Sequence, residues 1–158
     1  MELEVPSFYK YQNLEKDLWA EFVKAKDIIL KRNGEEEARL ALEKGDFILV
    51  NGIEVPCITV VVDGSWSKRS YGHGYNASGG MAVIIGERTG KVLYIGTRIK
   101  SCQTCKRAEN KGKDPPTHDC QRNWDKSSTS METDIVVEGF QRSMDMHGLI
   151  YRWVIIYG

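Results

Sequence analysis

The chain alternates between two kinds of hydrophobic spacing, and the switches between them outline its elements. From residue 7 to about 31, Phe8, Tyr11, Leu14, Leu18, Trp19, Phe22, Ile29 and Leu30 recur near a 3.6-residue period with charges between them, the pattern of an amphipathic helix. Asn33-Gly34 reads as its stop, because glycine commonly ends helices. A second, short helix is predicted over 35–44, from three glutamates at its positive N-terminal end to Lys44 and a stop at Gly45. Residues 46–56 are ambiguous: Phe47-Ile48-Leu49-Val50 before Asn51-Gly52 resembles a hairpin, while Pro56 limits regular pairing.

Cys57-Ile58-Thr59-Val60-Val61-Val62 is the strongest strand, a nearly continuous β-branched run of the kind buried on both faces. It ends at Asp63-Gly64, and a polar, glycine-rich stretch follows to Gly80. Met81–Ile85 and Val92–Ile95, joined by Arg88-Thr89-Gly90-Lys91, read as a strand hairpin. Residues 100–130 form a long polar insertion, which inside a compact domain implies either a function or a staple of its own. A helix is predicted over Met131–Met146, with Ile135, Val136, Phe140 and Met144 as its apolar side and His147-Gly148 as its end. Tyr151–Ile156 is a fourth strand of this core. The expected organisation is a helical connector over 1–46 and an α/β core over 47–158 carrying the insertion.

Composition narrows the class. A chain of 158 residues with 41% hydrophobic and 28% charged side chains suits one soluble domain. No apolar run approaches the ~18 residues of a membrane span. The acidic start Met1-Glu2-Leu3-Glu4 does not resemble a secretory signal. Four cysteines without such a signal point to a reduced compartment and away from a disulfide scaffold. The formal charge of zero hides strong segregation. Residues 1–63 carry 8 basic and 13 acidic groups, 64–130 carry 12 and 5, and 131–158 carry 2 and 4, so the three segments sum as −5, +7 and −2. A cationic middle of that size suits either a solvated loop surface or a polyanion contact.

Three sets of residues can carry chemistry. Asp63, at the end of the most buried strand, suits a divalent-metal ligand, because hard cations take carboxylate oxygens; Asp63-Gly64 can equally be a plain turn pair. Glu132 shares a helix face with Ile135 and Val136, so it needs a partner on the core side. A metal shared with Asp63 would supply one; alternatively Thr129-Ser130-Met131-Glu132 is a capping box, with Glu132 turned back to the backbone. Glu138, off this face, reads as solvated, and His73 and His147 read as structural or solvated.

Cys102-x2-Cys105-x12-His118-x-Cys120 is the sharpest local signal, a Cys3His set suited to tetrahedral zinc in a segment too polar to pack by itself. Free thiols or a redox pair are the competing readings. Four protein ligands leave no open position, so this zinc would be structural. Cys57, flanked by apolar residues, reads as a core residue. Trp66, Lys68, Arg69 and Tyr71 interleave aromatic and basic groups just past Asp63, a pattern that can contact a nucleic-acid backbone; Trp66 packed on the sheet is the plainer reading.

Strand-Asp63-Gly64-Ser65, a glycine-rich turn, two hairpin strands, a helix opening Ser130-Met131-Glu132 and a further strand together resemble the ribonuclease-H-like fold. In that fold an acid ends the first strand, and ribonuclease H adds a glutamate on its first helix, where Glu132 stands. The finer resemblance is to the Mutator-like transposase domain of animal transposable elements. It is carried by Glu35-Glu36-Glu37-x-Arg39-Leu40-Ala41-x-Glu43-Lys44-Gly45-Asp46 and by Ile58-Thr59-Val60-Val61-Val62-Asp63-Gly64-Ser65-Trp66-Ser67-Lys68-Arg69-Ser70-Tyr71. Tyr75-Asn76-Ala77, the Cys102/Cys105 pair, Ala108-Glu109-Asn110-Lys111-Gly112 and Ser127-Ser128-x-Ser130-Met131-Glu132 continue it over roughly residues 33–158.

The resemblance implies a DDE-type transposase. Such enzymes cut and join DNA with two Mg²⁺ or Mn²⁺ ions about 4 Å apart, held by three acids. Asp63 matches the first acid. The second is expected directly after the strand ending at Ile156-Tyr157-Gly158, where this sequence stops, so the chain is expected to cover four of five core strands and to be inactive alone. DNA as partner, a homo-oligomer and a nuclear location follow from the same resemblance. The competing readings are a non-catalytic, domesticated, zinc-stapled module that binds nucleic acid or protein, and a ribonuclease-H-like nuclease using Asp63 and Glu132.

Overall fold

The computed structural model describes residues 7–67 and 77–156. Its order is α1 (Phe8–Glu43), β1 (Phe47–Val50), β2 (Ile53–Trp66), β3 (Gly79–Gly86), β4 (Val92–Ile99), α2 (Gln103–Glu109), α3 (Met131–His147) and β5 (Ile150–Ile156). The predicted break at Asn33-Gly34 does not occur, and one helix of 36 residues runs through it. Asn33 is buried and donates its Nδ2 to the Val92 carbonyl, and Gly34 lies against the His147 side chain. Tertiary contact therefore uses these two residues inside a helix. The stop comes at Gly45, in the left-handed region at φ 74°, where Gly45 N–H bonds the Leu42 carbonyl and Asp46 N–H bonds the Ala41 carbonyl. Those are the two closing bonds of a Schellman cap.

Asn51 and Gly52, at φ 52° and 79°, supply the tight turn between β1 and β2. Val50 pairs with Ile53 and Phe47 with Pro56. Counting outward from the turn, the antiparallel alternation leaves Pro56 in a pair without ladder hydrogen bonds, so its missing N–H costs nothing there. Pairing resumes at once, with Cys57 N–H donating to the Asp46 carbonyl at 2.8 Å. The hairpin reading of 46–56 therefore holds.

β2 is the central strand. β3 pairs antiparallel to it over Val60–Trp66, β4 antiparallel to β3, and β5 parallel to β2 over Cys57–Val62. The sheet is thus mixed, with α3 as the crossover between β4 and its last strand. Ile58, Val60 and Val62 of β2, Ala82 and Ile84 of β3 and Tyr94 of β4 bury against Ile135 of α3 and Ala41 of α1. Gly139 permits the close approach of α3, because a Cβ there would fall 2.5 Å from Ile84 Cδ1 and 2.7 Å from the Tyr94 ring. Burial on both faces of β2 is not found. Thr59 and Val61, on the alternate phase of the pleat, are only half-buried, so one face of the sheet is covered and the other is partly open. Cys57 lies in the core as expected, 4% exposed.

Candidate functional site

The Cys3His set comes together in three dimensions. Cys102 closes β4's exit and caps α2; Cys105 follows one turn later; His118 and Cys120 return from the irregular segment beyond. The four ligand atoms all lie within 4.8 Å of one another. His118 Nε2 is 3.3 Å from Cys102 Sγ and 3.4 Å from Cys105 Sγ, and the sulfurs of Cys105 and Cys120 are 3.6 Å apart. A tetrahedral zinc with Zn–S of about 2.3 Å and Zn–N of about 2.0–2.1 Å requires neighbouring donors roughly 3.5–3.8 Å apart, so the residues fit the ion. His118 Nδ1 bonds the Pro116 carbonyl at 2.7 Å, which leaves Nε2 as the free ligand nitrogen.

The electrostatics favour metal as well. Backbone N–H groups of Cys105 and Thr104, with His118, pull the Cys102 thiol down to about 6. Crowding among the sulfurs, led by Cys120, pushes Cys105 up to about 11, and the Pro116 carbonyl with the neighbouring thiolates raises His118 to about 9. A cluster that holds its thiolate negative charge this unevenly is relieved by a dication.

Residues that the sequence pattern did not single out tie this insertion to the core. Trp124 is buried and donates its Nε1–H to the Ser127 carbonyl at 2.8 Å. The Arg98 guanidinium stacks 5.8 Å from the Trp124 ring centroid. Asn123 accepts from Ile99 N–H at 2.6 Å and donates to the Thr97 carbonyl, so the insertion returns onto the end of β4. A large apolar residue alone in a polar segment was the available signal for Trp124. Arg98 also bonds Asp134 and Glu138 on α3, at 2.7 and 2.5 Å. Glu138 is therefore an ion-pair partner of Arg98 and Arg142, not a solvated side chain, and these bonds hold its carboxyl below the usual range.

Glu132 and Asp63 reach the same stretch of β2 on opposite faces: Gly64 meets Glu132 on the α3 side, and Asp63, one residue earlier, shares the open side with Thr59 and Val61. Asp63 is exposed and pairs with Val83 of β3. α3 starts after Ser130, whose side chain makes no cap bond, and Glu132 points across to the strand instead of back to Thr129. A Cβ on Gly64 would fall 2.5 Å from Glu132 Cδ and 2.7 Å from its Oε2, so the carboxyl occupies the space that the missing side chain leaves. The capping-box alternative is not what forms. This contact also sets a test. In Gly64→Ala the far end of a flexible glutamate must swing away, so thermal stability should change by less than about 1 kcal/mol while Glu132 leaves the Asp63 strand. A chemical-shift perturbation confined to β2 and the first turn of α3 is the expected signature, and a large loss of stability would contradict it.

Trp66 closes β2, opposite Gly80. Its side chain, with Lys68, Arg69, Tyr71 and His73, lies outside the described residues. His147 is structural, with Nε2 bonded to the Leu93 carbonyl at 2.9 Å.

A family model described as Mutator-like transposase matches residues 1–155, nearly the whole chain. The chain belongs to the Mutator-like transposase family. Searches of curated proteins and of solved structures returned no match. Its function is accordingly related to that of the Mutator-like transposases, and DNA is the partner that membership implies. Among the described residues no helix is long and apolar enough to cross a membrane. Within the family frame, the motif residues quoted from 35–46 acquire physical roles. Glu37 is fully buried and accepts from both the N–H and the hydroxyl of Thr89, locking α1 to the β3–β4 turn.

Proposed function

We propose that this chain forms part of a DDE-type transposase core of ribonuclease-H-like fold, acting on DNA in the nucleus with Mg²⁺ or Mn²⁺. The observation that carries the proposal is the order of the sheet, with Asp63 exposed on its central strand. The topology supports it: β2, β3 and β4 run antiparallel in sequence, α3 follows, and β5 returns parallel to β2. Asp63 is the carboxylate that would hold the divalent ion; Glu132 stands on the other face of β2 and would assist only after a rearrangement at the start of α3. The ion's contribution, when bound, is to lower the pKa of an attacking water or 3′-hydroxyl and to steady the leaving oxygen at phosphorus. The chain's own contribution is to present the acid on a rigid, core-packed strand that runs past the expected stop at Asp63-Gly64 to Trp66. Trp66, Lys68, Arg69 and Tyr71 follow that acid and are suited to the DNA backbone. The zinc-bound insertion would act as a structural staple on the end of β4.

The test is Mn²⁺ binding, followed by electron paramagnetic resonance on zinc-loaded protein. Binding should be abolished in Asp63→Ala, and a weakening in Glu132→Gln would show that the helix acid reaches the ion. Equal binding in Asp63→Ala would overturn the assignment, and a wild-type chain silent to Mn²⁺ would favour the non-catalytic zinc-stapled module. A second reading, a ribonuclease-H-like nuclease, requires Asp63 and Glu132 to meet on one ion. Hydrolysis of an RNA–DNA hybrid that disappears in Glu132→Gln would select it.

A further inference from the structure

α1 has two halves with different surroundings. Among the described side chains Leu30 is its first buried residue, at 4% exposure, and from there to Ala41 the helix packs on the core. Before it, every described side chain from Lys10 to Ile29 is exposed. That segment carries large apolar groups: Tyr11 is 56% exposed, Leu14 48%, Leu18 58%, Phe22 67% and Ile29 52%. With Ala25 they form one stripe. Tyr11, Leu14 and Leu18 are followed after eleven residues by Phe22, Ala25 and Ile29, a repeat that keeps one side of a helix apolar along its length. The stripe is roughly 30 Å long and about 10 Å wide, a few hundred Å², the size at which an exposed apolar patch marks an interaction surface. A helix of this kind also draws most of its stability from packing its apolar face.

We propose that the stripe is covered by the same stripe of a second copy of this chain, the two helices antiparallel. The charges beside the stripe carry the choice of occupant. With a two-fold axis between Leu18 and Phe22, Leu18 meets the partner's Phe22 and Tyr11 meets the partner's Ile29. Glu15 and Lys26 lie on one flank of the stripe, and in this register each stands opposite the other's counterpart across the axis. Two opposite-charge pairs, related by the axis, thus close one side of the apolar seam. Within the single chain Lys26 pairs with Asp27 at 3.2 Å in solvent, so exchanging this partner costs little. The arrangement places the two cores at opposite ends of the helix pair.

Sedimentation equilibrium of the zinc-loaded full chain tests this. From low to high micromolar concentration the mass should rise to twice the 18.0 kDa of one chain. The double variant Leu18→Asp/Phe22→Asp should remain monomeric, with the unfolding transition of the core and its zinc content unchanged, since neither side chain touches the core. Glu15→Lys and Lys26→Glu should each weaken association several-fold, and combining them should restore it, a readout that a merely unfolded helix could not give. A monomeric wild-type chain would overturn the proposal and assign the stripe to another segment or protein. Dimers that survive Leu18→Asp/Phe22→Asp would overturn it too, moving the interface to the open sheet face, and failure of the charge swap to restore association would refute the antiparallel register.

Discussion

Elemental analysis of the purified chain is expected to find one zinc per molecule, and Cys105→Ser is expected to lose it. Cys105 is the ligand whose removal is felt most, because its sulfur approaches both His118 and Cys120. Structural zinc sites contribute binding free energy on the order of 10 kcal/mol, and where no apolar core exists that energy is folding energy. Within the segment from 100 to 130, the apolar anchors are few: Cys102, Ala108 and Trp124 are the buried hydrophobic residues. Zinc loss should therefore unfold the insertion while the sheet and α3, which have their own core, persist. Amide exchange would show it as a loss of protection confined to the insertion and the end of β4. A metal-free, fully protected insertion would refute the site.

The pH dependence follows from the thiols and the imidazole. At neutral pH Cys102, at about 6, is already a thiolate, whereas Cys105 at about 11 and His118 at about 9 hold protons that zinc must expel. Affinity should thus rise as pH rises toward 9, by roughly tenfold per unit for each proton released, and zinc binding should acidify an unbuffered solution. Below about 6 the Cys102 thiolate is lost too, and the site should empty in acid.

The second large effect is expected from Gly34→Ala. On helix propensity alone the change should stabilise α1 by up to about 1 kcal/mol, since alanine is the better helix former. The new Cβ, however, would lie 2.2 Å from His147 Nδ1, 2.5 Å from its Cγ and 2.9 Å from its Cβ. The imidazole has little room to yield, because its Nε2 is bonded to the Leu93 carbonyl and it sits half-buried between α1, α3 and β4. Overpacking of this kind costs about 1–3 kcal/mol, occasionally more, and should outweigh the propensity gain. The melting temperature should fall by several degrees, as about 2–4 °C accompany each kcal/mol at this size. His147→Ala in the same background should recover part of the loss, and a Gly34→Ala protein more stable than wild type would show that the two helices do not meet as described.

That second case illustrates which information is local. Gly34 follows Asn33, and in one dimension the pair has the chemistry of a helix stop. Nothing nearby in the chain announces that Val92 will offer a carbonyl to Asn33 or that His147 will press on Gly34. Glu138 misled for the same reason, since its partner Arg98 stands forty residues away on β4. Glu132 had two readings of nearly equal merit in the sequence. The choice between a local cap and a strand contact was made by Gly64, sixty-eight residues earlier, whose lack of a side chain opens the space.

By contrast, the sequence alone determined the features whose physics is short-ranged. The zinc ligands are set by a knuckle spacing and a His-x-Cys return, and their chemistry is the same wherever the segment sits. Asn51-Gly52 and Gly148 adopt left-handed backbone that few other residues take, so the turn and the end of α3 were legible. The β-branched run before Asp63 was legible as a strand, though not as one with an open face, and the family motifs lie along it. Tertiary structure alone decided that α1 is one helix, that only one face of the sheet is fully covered, and that Glu132 rather than a cap partner reaches the strand of Asp63. Those outcomes depend on close approach between residues distant in sequence, which hydrophobic period and capping preference do not encode.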